Sequence, residues 1–229
     1  MITENGATKD DIVNVRSVLK RILPDSIYRI LKKGNFYYKK KRYLIFGRPH
    51  NPGETSKARP RRIKEGFFDK YCRGRGLDIG FGGDPLCDNC TGWDFEHGDA
   101  QYLEGLDNGR FDFVYSSHTL EHMVDIEAAL QNWWRVLKKG GYLILYVPHR
   151  DLYEKKKTLP SRWNKFHKHF FLIDRDEEPD TRGMVPLINR CLTNFEIIYA
   201  KECSEGHTIT DPEIHSDGEF SIEIMIRKP

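Results

Sequence analysis

The chain lacks an apolar run long enough to cross a bilayer, a span that takes about 20 residues. It also lacks a charged start followed by an apolar stretch and a small-residue cleavage site, so secretion is not expected. Cysteine is sparse: five in 229 residues, an odd number that makes no disulfide framework. A reducing cytoplasm is the expected compartment. Cys87 and Cys90 form the one close pair. A structural zinc needs a second pair, which Cys72 and His97 do not supply, so no metal is expected. Internal repeats and low-complexity tracts are absent as well. What remains is a chain with 38% hydrophobic and 31% charged residues, long enough for one domain with a real core.

Charge is unevenly placed. Residues 1–62 hold 16 Lys and Arg against 5 Asp and Glu, a net +11, and residues 63–229 hold 21 against 29, a net −8. A basic leader on an acidic domain suggests an anionic surface or partner. Within it, Ile12, Val15, Leu19, Ile22 and Leu23 recur at helical spacing, and a second short helix is expected around Ile27, Ile30 and Leu31. Phe36 to Arg42 adds aromatic and basic residues. Two readings stand: an arm that lies on a membrane surface, and an extension that packs on the core or on a second subunit. The division expected is 1–55 as basic extension and linker and 56–229 as the main domain. Residues 47–62, with Pro49, Pro52, Gly53 and Pro60, read as a linker or covering loop, followed by a helix over 63–71.

The most informative segment is Leu77-Asp78-Ile79-Gly80-Phe81-Gly82-Gly83-Asp84, a short buried strand entering a glycine turn. Glycine there lets the backbone turn sharply and approach a ligand closely. Trp93-Asp94 ends a second strand, Gly98-Asp99-Ala100 follows at once, and Phe111 to Tyr115 is a third apolar run. Ser116-Ser117-His118-Thr119-Leu120-Glu121-His122 then leads towards an amphipathic helix over 126–137, ended by Gly140-Gly141. Leu143 to Val147 is continuously apolar, as a strand buried on both faces should be. Residues 148–178 are too polar for core and read as an insertion over a site. A helix over 181–192, a strand from Phe195 to Ala200 and a final antiparallel strand from Phe220 to Ile226 complete the chain.

Over residues 56–150 this series resembles the class I S-adenosylmethionine-dependent methyltransferases, in the small-molecule, methyltransferase-11-like branch with an L-E-H helix. The resemblance implies a Rossmann-like α/β fold, mostly parallel with an antiparallel last strand. It implies S-adenosylmethionine as cofactor, with Asp78, Gly80, Phe81, Gly82, Asp94, Asp99, Ala100 and Ser116 around it. By similarity Asp78 acts on the methionine amino group through water or the turn's backbone, Asp94 on the ribose and Asp99 on the adenine. Two departures stand out: Asp84 replaces the third glycine, and only fourteen residues separate Gly80 from Asp94. A trimmed core is expected, its first crossover helix short and its second missing.

A hydroxyl acceptor loses its proton during methyl transfer, and histidine is the natural base. His118 and His169 are the candidate catalytic residues. His122, Arg150, Trp163 and His167 are the candidates for holding the acceptor, with His118 and His122 sharing one helix face. The basic leader and the stretch Tyr146 to Tyr153 look like methyltransferases of bacterial surface-polysaccharide assembly. The expected acceptor is a small molecule, a sugar hydroxyl or a phosphorylated group, and no stable nucleic-acid complex is expected. The competing readings are a nucleic-acid methyltransferase and a non-catalytic cofactor-binding module.

Overall fold

Alternation along the first strand explains the layering. In the computed structural model, which describes residues 53–229, Leu77 and Ile79 of β1 (Gly76–Ile79) enter one apolar layer. Gly76 and Asp78 face the other, where a Cβ on Gly76 would collide with the Phe113 ring. The remaining strands are β2 (Cys90–Trp93), β3 (Phe111–Ser117), β4 (Leu137–Pro148), β5 (Phe170–Leu172), β6 (Thr181–Gly183), β7 (Glu196–Cys203) and β8 (Ser221–Arg227). Six form a sheet in the order β2-β1-β3-β4-β8-β7, and β5 pairs with β6 separately. β2, β1, β3 and β4 run parallel, while β8 runs antiparallel to both its neighbours. This is the mostly parallel Rossmann-like sheet with an antiparallel last strand that the sequence implied.

Among the described residues four α-helices cover the sheet: α1 (Glu54–Lys64), α2 (Phe67–Tyr71), α3 (Ile126–Arg135) and α4 (Met184–Cys191). α3 starts where Asp125 accepts a hydrogen bond from the Ala128 amide, a side-chain cap for an otherwise orphaned donor. Its Ile126, Ala129, Leu130 and Trp133 are buried with α4 against Leu143, Leu145, Val147, Ile222, Ile224 and Ile226. Ala58 and Phe67 of α1 and α2 pack in the opposite layer with Tyr115, Ile144, Tyr146 and Met225. The central strands of the sheet are therefore buried on both faces.

Five expectations are corrected. Residues 54–62 are not a linker but most of α1, and the helix expected over 63–71 is broken at Gly66, whose φ of 64° is left-handed. α1 survives an internal Pro60 because it is held at both ends. At its start Ser56 donates from its amide and hydroxyl to Asp84, so the residue standing in place of a third glycine caps this helix. Near its end Arg61 and Arg62 reach into the sheet. Arg62 Nε donates to Glu223 Oε2 at 2.7 Å and its Nη1 to Tyr115 Oη at 2.9 Å. Arg61 donates to Glu219 at 3.0 Å and to Glu223 at 3.1 Å. Part of the basic leader is thus the internal counter-charge of β8.

The first crossover helix is absent rather than short: ten residues of turns, 80–89, join β1 to β2, and no helix lies between β2 and β3. The helix expected to carry both His118 and His122 is also absent. His118 has a φ of 47°, incompatible with a right-handed helix, and Leu120–His122 is a single tight turn. Residues 148–178 are not uniformly polar cover either. Phe170, Phe171 and Leu172 are buried, and Phe171 belongs to the main core. The two N-terminal helices and the basic aromatic arm lie outside the described residues. No helix among the described residues is long and apolar enough to cross a membrane.

Candidate active site

Strand order reverses at β1, with β2 on one side and β3 on the other, and ligands of such sheets bind at the carboxyl ends beside that point. The glycine turn leaves β1 there and meets the chain leaving β3. Gly80 has a φ of 74°, and a Cβ on it would lie 2.0 Å from Thr119 Oγ1, so only glycine fits. Gly82 is also left-handed, but a Cβ there would meet nothing nearer than Gly80 O at 3.8 Å. The Phe81 ring covers Gly92 of β2.

Around this turn three buried polar atoms have no hydrogen-bond partner: Asp78 Oδ1, Trp93 Nε1 and Ser116 Oγ. By register Trp93 of β2 and Ser116 of β3 flank Ile79 on one face of the sheet, and Asp78 of β1 faces the other. A buried polar atom left unpaired costs about 1–3 kcal/mol, so Trp93 Nε1 and Ser116 Oγ, on one face beside the turn, mark a place fitted to a polar ligand. Asp78 Oδ2 accepts from the Leu86 amide at 2.8 Å and so holds the loop beyond the glycines. Asp94 follows β2 directly; its Oδ1 accepts from the Phe95 amide at 2.8 Å, and its own amide donates to His97 Nδ1 at 3.0 Å. Asp99 is exposed and closes a turn on the Gln101 amide, and Ala100 O accepts from Trp133 Nε1.

Burial pushes the Asp78 carboxyl up to about 8, with Cys87 and Asp84 adding to the rise against the lowering Leu86 amide. The folded protein therefore keeps a proton that the unfolded chain releases near 3.8, and stability falls as pH rises between these values. Asp78→Asn is expected to flatten part of that decline, read from urea melts at pH 5 and pH 8. An unchanged slope would place the pH dependence elsewhere.

The second half of the site lies beyond β3, β4 and the start of β8. His118 Nε2 shares a hydrogen bond with Ser221 Oγ at 2.8 Å, and its ring contacts Tyr146, Tyr153 and Phe220. Burial, with His167 and Lys57 nearby, holds its pKa well below 6.5, so it is neutral at physiological pH. Trp163 packs on His215, which packs on Tyr153 and Phe220, extending an aromatic wall away from His118. His122 Nδ1 faces Phe166 O at 3.2 Å, and His167 Nδ1 faces Glu154 Oε1 at 2.7 Å.

The structure thus brings His118, His122 and His167 together around Glu121, with Trp163 farther along the wall. It keeps two other residues apart. His169 lies against the backbone of Met123 and Val124 and makes no hydrogen bond, ion pair or ring contact with those histidines. Arg150, expected to hold an anionic acceptor, is 2% exposed and bonds to Asp151, Glu177 and Thr181. Lys155 likewise donates to the carbonyls of Ile209, Asp211 and Ile214. Sequence reasoning passed over Tyr153, Glu154 and Ser221. Their only signal was position, just past β4 and at the start of the alternating final strand.

Residues 68–145 match the family described as a methyltransferase domain, a stretch running from α2 through most of β4. Over those residues the chain carries a methyltransferase domain. No curated protein matches the sequence. Among solved structures, the chain is similar to a methyltransferase from Thermotoga maritima described as a possible histamine N-methyltransferase. That match has 19% identity and a TM-score of 0.44, and covers 87% of this chain and 96% of the other. A methyltransferase from Methanosarcina mazei is similar at 21% identity and a TM-score of 0.42, over 67% of this chain and 92% of that one. One from Mesorhizobium loti shares 14% identity at a TM-score of 0.41, over 67% and 90%.

Proposed function

We propose that the protein methylates a hydroxyl of a small-molecule acceptor, a sugar, a nucleotide-sugar or a capsule or lipopolysaccharide substituent. The observation that carries this reading is a neutral histidine, His118, set in an aromatic wall at the carboxyl end of β3. Aromatic faces suit the apolar faces of a ring, and a neutral imidazole can take a proton. The cations that would favour a phosphorylated group at the reacting end, Arg150 and Lys155, already have internal partners.

S-adenosylmethionine, when bound, supplies a methyl group activated by its sulfonium. The chain's part is alignment, exclusion of water and movement of one proton. Gly80 and Gly82 give the donor close access to the backbone, Asp78 holds the loop around it, and Ser116 offers a free hydroxyl. Asp94 takes the ribose hydroxyls, with Phe81, Asp99 and Ala100 on the nucleoside side. His118 receives the acceptor proton, and Trp163 with His215 lines the acceptor's route. Asp94→Ala is expected to weaken S-adenosylmethionine binding by about 1.5–3 kcal/mol, the scale for lost hydrogen bonds to a charged group. Calorimetry giving unchanged affinity in a folded variant would remove the ribose role.

The acceptor class is tested with radiolabelled S-adenosylmethionine against free sugars, nucleotide-sugars, capsule fragments and RNA. Label in a sugar hydroxyl supports the reading. Label in RNA alone, or cofactor binding with no transfer to any acceptor, overturns it.

A further inference from the structure

Glu121 stands in an arrangement that an uncharged interior does not explain. Its carboxylate is fully buried, and neither oxygen has a hydrogen-bond partner among other residues. Yet three imidazole nitrogens face the same oxygen, Oε1: His167 Nε2 at 3.7 Å, His122 Nε2 at 3.8 Å and His118 Nδ1 at 3.9 Å. These separations are too long for hydrogen bonds. They are close to the roughly 3.0–3.5 Å between two donors that share one ion at 2.0–2.2 Å. Glu121, His122 and His167 can each offer a ligand atom such that all lie within 4.8 Å of one another.

The far sides of the rings are already engaged. A carbonyl oxygen only accepts, so His122 Nδ1 must donate to Phe166 O and its Nε2 is bare. His167 Nδ1 donates to Glu154 Oε1, and Glu154 Oε2 is itself held by the Ser161 hydroxyl at 2.7 Å. The Nε2 of His167 points at Glu121 as well. Two imidazole nitrogens and a carboxylate oxygen converge on a space that a cation between them would fill. A proton on Glu121 could serve only one of the three, across a gap too long to bridge. Carboxylate and carbonyl partners on the outer nitrogens are how metal-bound histidines are oriented.

We propose that Glu121, His122 and His167 bind a divalent transition-metal ion, with His118 beside it. Two imidazoles and one carboxylate suit zinc, cobalt, manganese or iron(II) rather than magnesium or calcium, which prefer oxygen throughout. His122 has 29% of its side chain exposed, which gives the ion a way in. The role of the ion rests on the methyl-transfer reading, whereas its binding does not. It would lower the pKa of an acceptor hydroxyl, the activation that a base as weak as buried His118 needs.

The test is calorimetry and visible absorption on the full chain, stripped with chelator and titrated with cobalt(II), then zinc(II). One ion per chain is expected, with cobalt d–d bands that zinc displaces. Glu121→Gln and His167→Ala should weaken binding at least a hundredfold. His122→Ala, at a part-exposed position where folding is safest, should weaken it at least tenfold. His207→Ala, remote from the cluster and bonded to Asp217, should bind as the parent does. Absence of stoichiometric binding in the parent overturns the site, as does full binding by folded Glu121→Gln and His122→Ala. Neither result touches the acceptor assay, so failure of the metal site and failure of the methyl-transfer reading are told apart.

Discussion

His118→Ala is expected to lower kcat about a hundred- to ten-thousandfold on the true acceptor, the usual cost of losing a general base. Affinity for S-adenosylmethionine should be unchanged, because the ring faces Ser221, Tyr146, Tyr153 and Phe220 rather than the glycine turn. The pH profile gives a second reading. A base must be neutral to work, and burial holds this imidazole well below its ordinary 6.5. The acid limb of kcat should therefore lie well under pH 6.5 and should vanish in the variant. The left-handed backbone at His118 supports the assignment, since such a conformation in a residue other than glycine persists only where its surroundings fix it. Near-normal turnover in the variant would leave alignment as the whole of catalysis and make the ring part of the scaffold. His169→Ala, away from the cluster, should stay within a few-fold of the parent.

Glu223→Ala is expected to destabilise the protein by about 3–5 kcal/mol, the cost of leaving buried charge unpaired. Glu223 is fully buried on β8 between Arg61 and Arg62, and Arg62 is fully buried as well. Burial alone would raise the carboxyl pKa, but the two guanidinium groups more than reverse this and hold it at about 2. A depressed pKa stabilises the fold above the unfolded value of 4.5, and that contribution is lost as pH falls from there towards 2. At neutral pH the contribution is about 3 kcal/mol, a large share of the stability of an ordinary domain. Urea melts of the alanine variant check the loss. Glu223→Gln keeps the shape and should remove the acid sensitivity between pH 4.5 and 2 if the alanine variant does not fold. A change under 1 kcal/mol in both would mean that apolar packing alone docks α1 on the sheet.

The sequence by itself determined the α/β class, the place of the glycine turn at the end of β1 and the final antiparallel strand. Each of these is written in neighbouring residues: the apolar run of Leu77 to Ile79, the glycines after it, and the alternation of Ile222, Ile224 and Ile226. Spacing alone also showed that the first crossovers were cut short, since fourteen residues from Gly80 to Asp94 leave little room for a helix. Only the tertiary structure decided what each charged side chain meets. Arg62 and Glu223 are 161 positions apart, and nothing local to 54–62 showed a helix pinned under β8 rather than a linker. Arg150 looked free to meet an acceptor until the fold set Glu177 against it, 27 residues on. The L-E-H motif was legible at once. Its approach to His167, through a segment that returns 44 residues later, was not. Periodicity and turn chemistry act over a few bonds and survive in the one-dimensional pattern. A buried carboxylate gathers its histidines only when distant segments pack, and that pairing belongs to the core that brings them together.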